Sequence, residues 1–154
     1  MKCSVRGREI HYKLCISNFK RVGWFNTRTK DIFINIIFVI VLGRKVIKET
    51  CVHEETHKII NEKSNFYGDM LPVELRYVLR RELEEIIAEI VSVIVSSGSI
   101  NSYYMDMYDS KSMTQDEIEL VIDWSHYLLT KHWNVPVQKC YVEWMLSPHI
   151  KKEN

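Results

Sequence analysis

Residues 51–57 read Cys51-Val52-His53-Glu54-Glu55-Thr56-His57 and contain the pattern H-E-x-x-H. On a helix, positions four apart lie one turn apart on the same face, so His53 and His57 would present two imidazoles to one ion. Glu54 sits one step round the helix, within reach of a water activated by that ion. Two nitrogen ligands and a carboxylate general base are what a zinc hydrolase needs. The competing possibility is an exposed helix that carries two surface histidines by coincidence.

A zinc site of this kind needs a third protein ligand and an open position for water. The extension H-E-x-x-H-x-x-G-x-x-H is excluded, because Ile60 and Lys63 stand where Gly and His are required. A second acidic segment, Glu84-Glu85-Ile86-Ile87-Ala88-Glu89, offers carboxylates instead. Glu82, Glu85 and Glu89 fall three and four apart on one helical face, where like charges destabilise an isolated helix by a few tenths of a kcal/mol. A divalent cation would relieve that repulsion, as would Arg81 if the face were simply solvated. Ala88, the only alanine in the chain, lies between Glu85 and Glu89. A small side chain there lets two helices approach closely enough for their ligands to converge at about 2 Å from one ion.

The elements that must position these groups can be read from pattern. Residues 4–42 read as strands, with Val22–Asn26 and Asp31–Asn35 flanking the polar connection Thr27–Lys30 as a hairpin. The β-branched run Ile36–Val41 continues the sheet or begins the turn to the helix, and Gly43 is a break. Residues 44–62 read as the H-E-x-x-H helix, with Ile47, Cys51, Ile59 and Ile60 as its buried stripe. Residues 72–97 read as a second helix, with Pro72 near its start, Gly98 as its stop and a stripe of Leu79, Leu83, Ile87, Ile90 and Ile94. Thr114-Gln115-Asp116-Glu117 resembles a capping box ahead of a third helix that runs to about His132. Pro136 interrupts, and residues 137–146 form a short final helix. Residues 98–154 thus read as a helical C-terminal extension with Trp124, Tyr127, Leu128, Trp133, Trp144 and Met145 as its apolar surface. The whole is expected to be one α+β domain over residues 1–154: a small antiparallel or mixed sheet packed on two ligand-bearing helices.

Composition bounds the function. The chain has 154 residues, 46% hydrophobic and 27% charged, as expected of one globular domain. A formal net charge of +1 supplies no global basic field, which argues against nucleic acid as the main partner. None of Cys3, Cys15, Cys51 and Cys140 forms a C-x-x-C pair, so a cysteine zinc site is not expected. With no signal-like N-terminus, the cysteines read as reduced thiols of a cytoplasmic protein. The apolar run 32–42 is too short to span a bilayer, which takes about 20 residues.

H-E-x-x-H followed by a helix bearing E-x-x-x-E resembles the gluzincin metallopeptidases, with Glu85-Ile86-Ile87-Ala88-Glu89 carrying the second half of the pattern. The short spacing, the small size and the preceding strand pair look more like minigluzincins and ImmA/IrrE-type domains. The resemblance covers roughly residues 20–97. It implies one Zn²⁺ ligated by His53, His57 and Glu85, with Glu54 as general base. Glu89 would orient His53 through its free ring nitrogen, although it stands where thermolysin-like enzymes have Asp. The implied activity is hydrolysis of a peptide or protein substrate, which could add a strand to the sheet edge at residues 32–37. Tyr67, Tyr103, Tyr104 and His126 are candidates, by chemistry only, for stabilising an oxyanion. Residues 98–154 could shield the cleft and keep the enzyme latent. The alternative function is a zinc-bearing regulatory or interaction domain that cleaves little, acting on a separate protein partner.

Overall fold

The computed structural model describes residues 1–17, 21–62, 80–97 and 113–150. It is an α+β fold, and its elements run in the order β1 (Lys2–Val5), β2 (Arg8–His11), β3 (Lys13–Cys15), β4 (Gly23–Phe25), β5 (Ile32–Asn35), α1 (Ile36–Leu42), α2 (Lys45–Glu62), α3 (Arg80–Ser96), α4 (Gln115–Lys131) and α5 (Lys139–Leu146), with a 3-10 turn at Ser147–His149. β1 and β2 form an antiparallel hairpin closed by Arg6 and Gly7, both at positive φ (49° and 78°). Such a two-residue turn matches the right-handed twist of the strands, and Gly7 supplies its second left-handed residue without strain.

The second sheet has the order β3-β5-β4. β4 and β5 are the hairpin expected from the sequence, in register Gly23↔Ile34 to Phe25↔Ile32. Asn26 builds the turn: its side-chain oxygen accepts from the amides of Arg28 (2.9 Å) and Thr29 (3.1 Å). β3 adds to the other side of β5 in parallel, making the sheet mixed. Within the stretch read as strands, the chain passes from the first sheet to the second at Tyr12. A free edge at residues 32–37 is overturned. β5 is the central strand, paired on both sides, and among the described residues the outer strands are β3 and β4.

Ile36–Leu42, read as sheet or as the turn to the helix, is a helix of its own. Its β-branched residues favour a strand, but the ends decide otherwise. Asn35 has extended backbone, and its side chain accepts from the Ile37 amide (3.2 Å), which starts the helix. At the other end the Gly43 amide donates to the Val39 carbonyl at φ +86°.

α2 is the central element. It packs against β4 and β5 on one side, against the β1–β2 hairpin on another, and most extensively against α3. Cys51, Val52, Ile59 and Ile60 are buried, and so are Thr50, His53, Glu54, Glu55 and Thr56. The expected stripe of α3 is buried at Leu83, Ile87 and Ile90, with Ile94 partly so, and Ile86 is buried beside it. Leu79, Pro72 and Gly98 lie outside the described residues. α4 opens with the expected capping box: Thr114 Oγ1 accepts from the Glu117 amide, and the Glu117 carboxylate accepts from the Thr114 amide, both at 3.2 Å. α4 packs on α3, and α5 packs on α4. Trp124, Leu128 and Trp133 are buried in this layer as expected, but Trp144 is not. It faces outward and rests against Tyr141 (ring centroids 5.8 Å apart).

Candidate metal centre

His53 and His57 lie one turn apart on α2 and face α3. The stripe of α3 that meets them runs Glu85, Ala88, Glu89 and Ser92, at helical spacing. Ala88 is fully buried, and Ser92 donates its hydroxyl proton to the Glu49 carbonyl of α2 at 2.8 Å. Small residues at these points let the two helices lie close, as the position of Ala88 in the sequence suggested.

Three atoms converge there. His53 Nε2 is 3.2 Å from His57 Nε2 and 3.0 Å from Glu85 Oε2, and His57 Nε2 is 3.3 Å from the same Glu85 oxygen. The triangle is nearly equilateral. Ligands about 2.0–2.1 Å from an ion at tetrahedral angles are separated by about 3.3 Å, so the three edges match one face of a zinc coordination tetrahedron. The donor set also fits, with two imidazole nitrogens and one carboxylate oxygen. Among the described residues, His53, His57 and Glu85 are the group of three that could hold a metal ion.

The ring nitrogens turned away from the triangle are engaged as well. His53 Nδ1 lies 3.3 Å from Glu89 Oε2, the partner expected from the sequence. His57 Nδ1 lies 2.8 Å from Glu84 Oε1, a partner the sequence reading missed. Each carboxylate accepts from Nδ1–H, which fixes the tautomer and leaves Nε2 turned to the shared point. The signal for Glu84 was present: two histidine ligands need two carboxylate partners, and Glu84 and Glu89 flank Glu85 on both sides.

Glu54 lies outside the triangle, beside β4. Its carboxylate accepts a hydrogen bond from the backbone amide of Phe25. The ladder explains why that amide is available. Asn35 donates to the Val22 carbonyl and Asn26 donates to the Asp31 carbonyl, so the alternate residues Gly23 and Phe25 turn their N–H and C=O groups away from β5. Gly23 permits the close approach of strand and helix. A Cβ there would collide with the Thr50 methyl and stand 2.8 Å from the Phe33 carbonyl oxygen and 3.8 Å from Glu54 Cγ.

Electrostatics follow from four carboxylates gathered round two imidazoles. Burial alone would depress the histidine pKa values. At His53, hydrogen bonds to the Glu85 and Glu89 carboxylates outweigh it and lift the pKa to about 9. Those that His57 donates to Glu84 and Glu85 lift its pKa to about 10. Glu85 is itself buried, but the two imidazoles hold its carboxyl well below the ordinary range. Glu54 moves the other way, because burial raises its pKa. The cluster therefore favours positive charge at its centre, which protons supply when no ion does.

The opposite face of α2 is pinned separately. Glu55 accepts from Arg8 Nη2 (2.9 Å) and Nε (3.1 Å), and the same guanidinium lies 5.5 Å from the Trp133 ring centroid. Tyr67, Tyr103 and Tyr104 lie outside the described residues. His126 is on α4, outside the cluster. The C-terminal helices join the fold through α3 and, by way of Trp133 and the Asn134 carbonyl that accepts from Arg6, through the β1–β2 hairpin. None of their described residues enters the triangle. Compared with protein-family models, curated proteins and solved structures, the chain matches none of them.

Proposed function

We propose that this chain is a zinc-dependent peptide hydrolase of the gluzincin type. The observation that carries the reading is the triangle of His53 Nε2, His57 Nε2 and Glu85 Oε2, whose edges of 3.0–3.3 Å suit one tetrahedral ion. An ion held there supplies Lewis acidity, lowering the pKa of water and polarising a carbonyl. Every other role falls to side chains of this protein. His53, His57 and Glu85 hold the ion. Glu84 and Glu89 orient the imidazoles. Glu54 takes the proton of the attacking water and returns it to the leaving amine, and its raised pKa suits both transfers.

The substrate class follows from the neighbour of Glu54. The outer edge of β4 offers the Gly23 N–H and the Gly23 and Phe25 carbonyls, to which an extended peptide can add as a strand. The scissile carbonyl would then lie alongside Glu54. The test begins with metal analysis of protein purified without chelator, where about one zinc per chain is expected. Glu54→Gln should keep that zinc and lose cleavage of an unfolded protein substrate. Undiminished cleavage by this variant would remove Glu54 from the reaction.

A second reading is a metal-bearing interaction domain that cleaves little or nothing. It is favoured by the burial of Glu54, which is only 6% exposed. Stoichiometric metal with no chelator-sensitive cleavage of a peptide library would select it.

A further inference from the structure

α1 is the part of the molecule that the candidate centre leaves unexplained. It has seven residues, all apolar (Ile36-Ile37-Phe38-Val39-Ile40-Val41-Leu42), and none is fully buried. Ile37, Ile40 and Val41 follow helical spacing on one face and are 44%, 76% and 72% exposed, with Leu42 beside them at 59%. Val39, on the other side, packs against the core. Ile16 is 80% exposed as well. It follows β3, and the Asn35 side chain that caps α1 also donates to the Ser17 carbonyl (2.9 Å) and the Arg21 carbonyl (3.5 Å). Isolated exposed aliphatic residues need no explanation, but a contiguous set does.

The charge beside this set is mainly basic. Arg21, Arg44, Lys45 and Lys48 flank α1 in the chain, against one acidic neighbour, Glu49, which stands 3.8 Å from Lys45. Arg21 stands at the N-terminal end of α1, tied there through Asn35. Arg44, Lys45 and Lys48 follow at its C-terminal end, all exposed. An apolar tip with cations at both ends complements one kind of surface, a bilayer whose anionic headgroups lie just above its hydrocarbon. A second protein surface would have to supply apolar area and acidic groups in the same arrangement, and nucleic acid offers nothing to the exposed isoleucines. The helix is far too short to cross a membrane, and no described helix is long and apolar enough to do so.

We propose that α1 is an interfacial anchor: Ile37, Ile40, Val41 and Leu42 insert at headgroup depth into an anionic membrane while Arg21, Arg44, Lys45 and Lys48 meet its phosphates. The inference does not depend on the reading of the histidine cluster. Its consequence for that cluster is one of place. His53 lies eight residues beyond Lys45, about 12 Å along α2, so the site would work close to the membrane surface.

The test is co-sedimentation of the full chain with phosphatidylcholine vesicles, with and without phosphatidylglycerol. Binding is expected with the anionic vesicles and to be much weaker without them. I40S/V41S should weaken it about tenfold or more, because the inserted apolar groups are lost. Arg44→Gln and Lys48→Gln should each weaken it about fivefold. Circular dichroism melts of the variants should match the parent, since these side chains face outward. Absence of binding to anionic vesicles would overturn the proposal. So would binding unaffected by I40S/V41S, which would mean charge alone. Sedimentation velocity showing a dimer that I40S/V41S dissolves would assign the surface to a second copy of the chain instead.

Discussion

Metal binding by this cluster should release protons, and its pH dependence should run opposite to the stability of the metal-free fold. An ion binds the neutral imidazole, so a protonated histidine must first lose its proton. In the metal-free cluster His53 and His57 are lifted from 6.5 to about 9 and about 10. Their Nε2 atoms lie 3.2 Å apart and share the Glu85 oxygen, which disfavours protons on both. Between one and two protons should therefore leave for each ion bound near neutral pH. Taking His53 alone, binding at about pH 7 is penalised by about two decades, or about 3 kcal/mol. The apparent Kd should tighten by about 100-fold per proton released between about pH 6.5 and pH 8.5. The histidine contribution to metal-free stability runs the other way. A folded pKa above the unfolded value stabilises fully below pH 6.5, and that contribution is lost as pH rises through 9 to 10. Glu85 is held low, so its contribution is present above pH 4.5 and is lost on acidification below that. Isothermal titration of chelator-treated protein in buffers of different protonation enthalpy counts the protons, and thermal melts with and without zinc follow the stabilities. A count of zero at about pH 7.5, or a Kd that stays flat over those two pH units, would refute the electrostatic reasoning.

Four further outcomes are expected. Glu85→Gln should cost most of the zinc affinity, measured by competition with a chromophoric chelator, because it removes one ligand of three. Glu84→Ala and Glu89→Ala should each weaken zinc about 10- to 100-fold while leaving it bound, since they orient ligands rather than supply them. Glu55→Ala should lower stability by about 1–3 kcal/mol in urea melts without changing zinc content, because it strands the partly buried Arg8 guanidinium on the opposite face of α2. Gly23→Val should lower both thermal stability and any peptide cleavage. Its branched side chain must displace β4 from Thr50, Phe33 and Glu54.

The candidate centre was largely legible because helical geometry is local. Spacing of four puts His53 and His57 on one face whatever surrounds them, and the same rule aligns Glu85, Ala88 and Ser92 on the next helix. Which carboxylate reaches which nitrogen depends on how the two helices are rotated against each other, a tertiary quantity. That is why Glu89 came only through the gluzincin resemblance, and Glu84, adjacent to Glu85 and equally acidic, was missed. The hairpin of β4 and β5 was legible from its polar turn. Its flank was not, because the parallel addition of β3 joins strands separated in the chain and leaves no local mark. The edge expected at β5 therefore falls at β4.

The helix α1 shows how end signals overrule composition. Seven residues of Ile, Phe, Val and Leu carry a strong preference for strand, and their run continues directly from β5. Two residues outside the run reverse that preference. Asn35, 1% exposed, spends its side-chain oxygen on the first turn and its amide on Ser17 and Arg21, so it cannot serve as an ordinary strand residue. Gly43 then allows the chain to leave the helix at positive φ and enter α2. The geometric result is that β5 and the helix that carries the candidate site are joined by an apolar helical turn rather than a loop. α2 thus inherits its placement from β5 through a segment that makes no contribution to the centre itself. A residue such as Asn35, far in sequence from every proposed ligand, should matter to metal affinity for that reason. Asn35→Ala leaves the Ile37 amide without its cap and the Ser17 carbonyl without its donor. It should cost about 1–2 kcal/mol of stability and loosen the approach of α2 to β4. Zinc affinity unchanged in a variant that melts measurably lower would show that α2 is held by its packing on α3 alone.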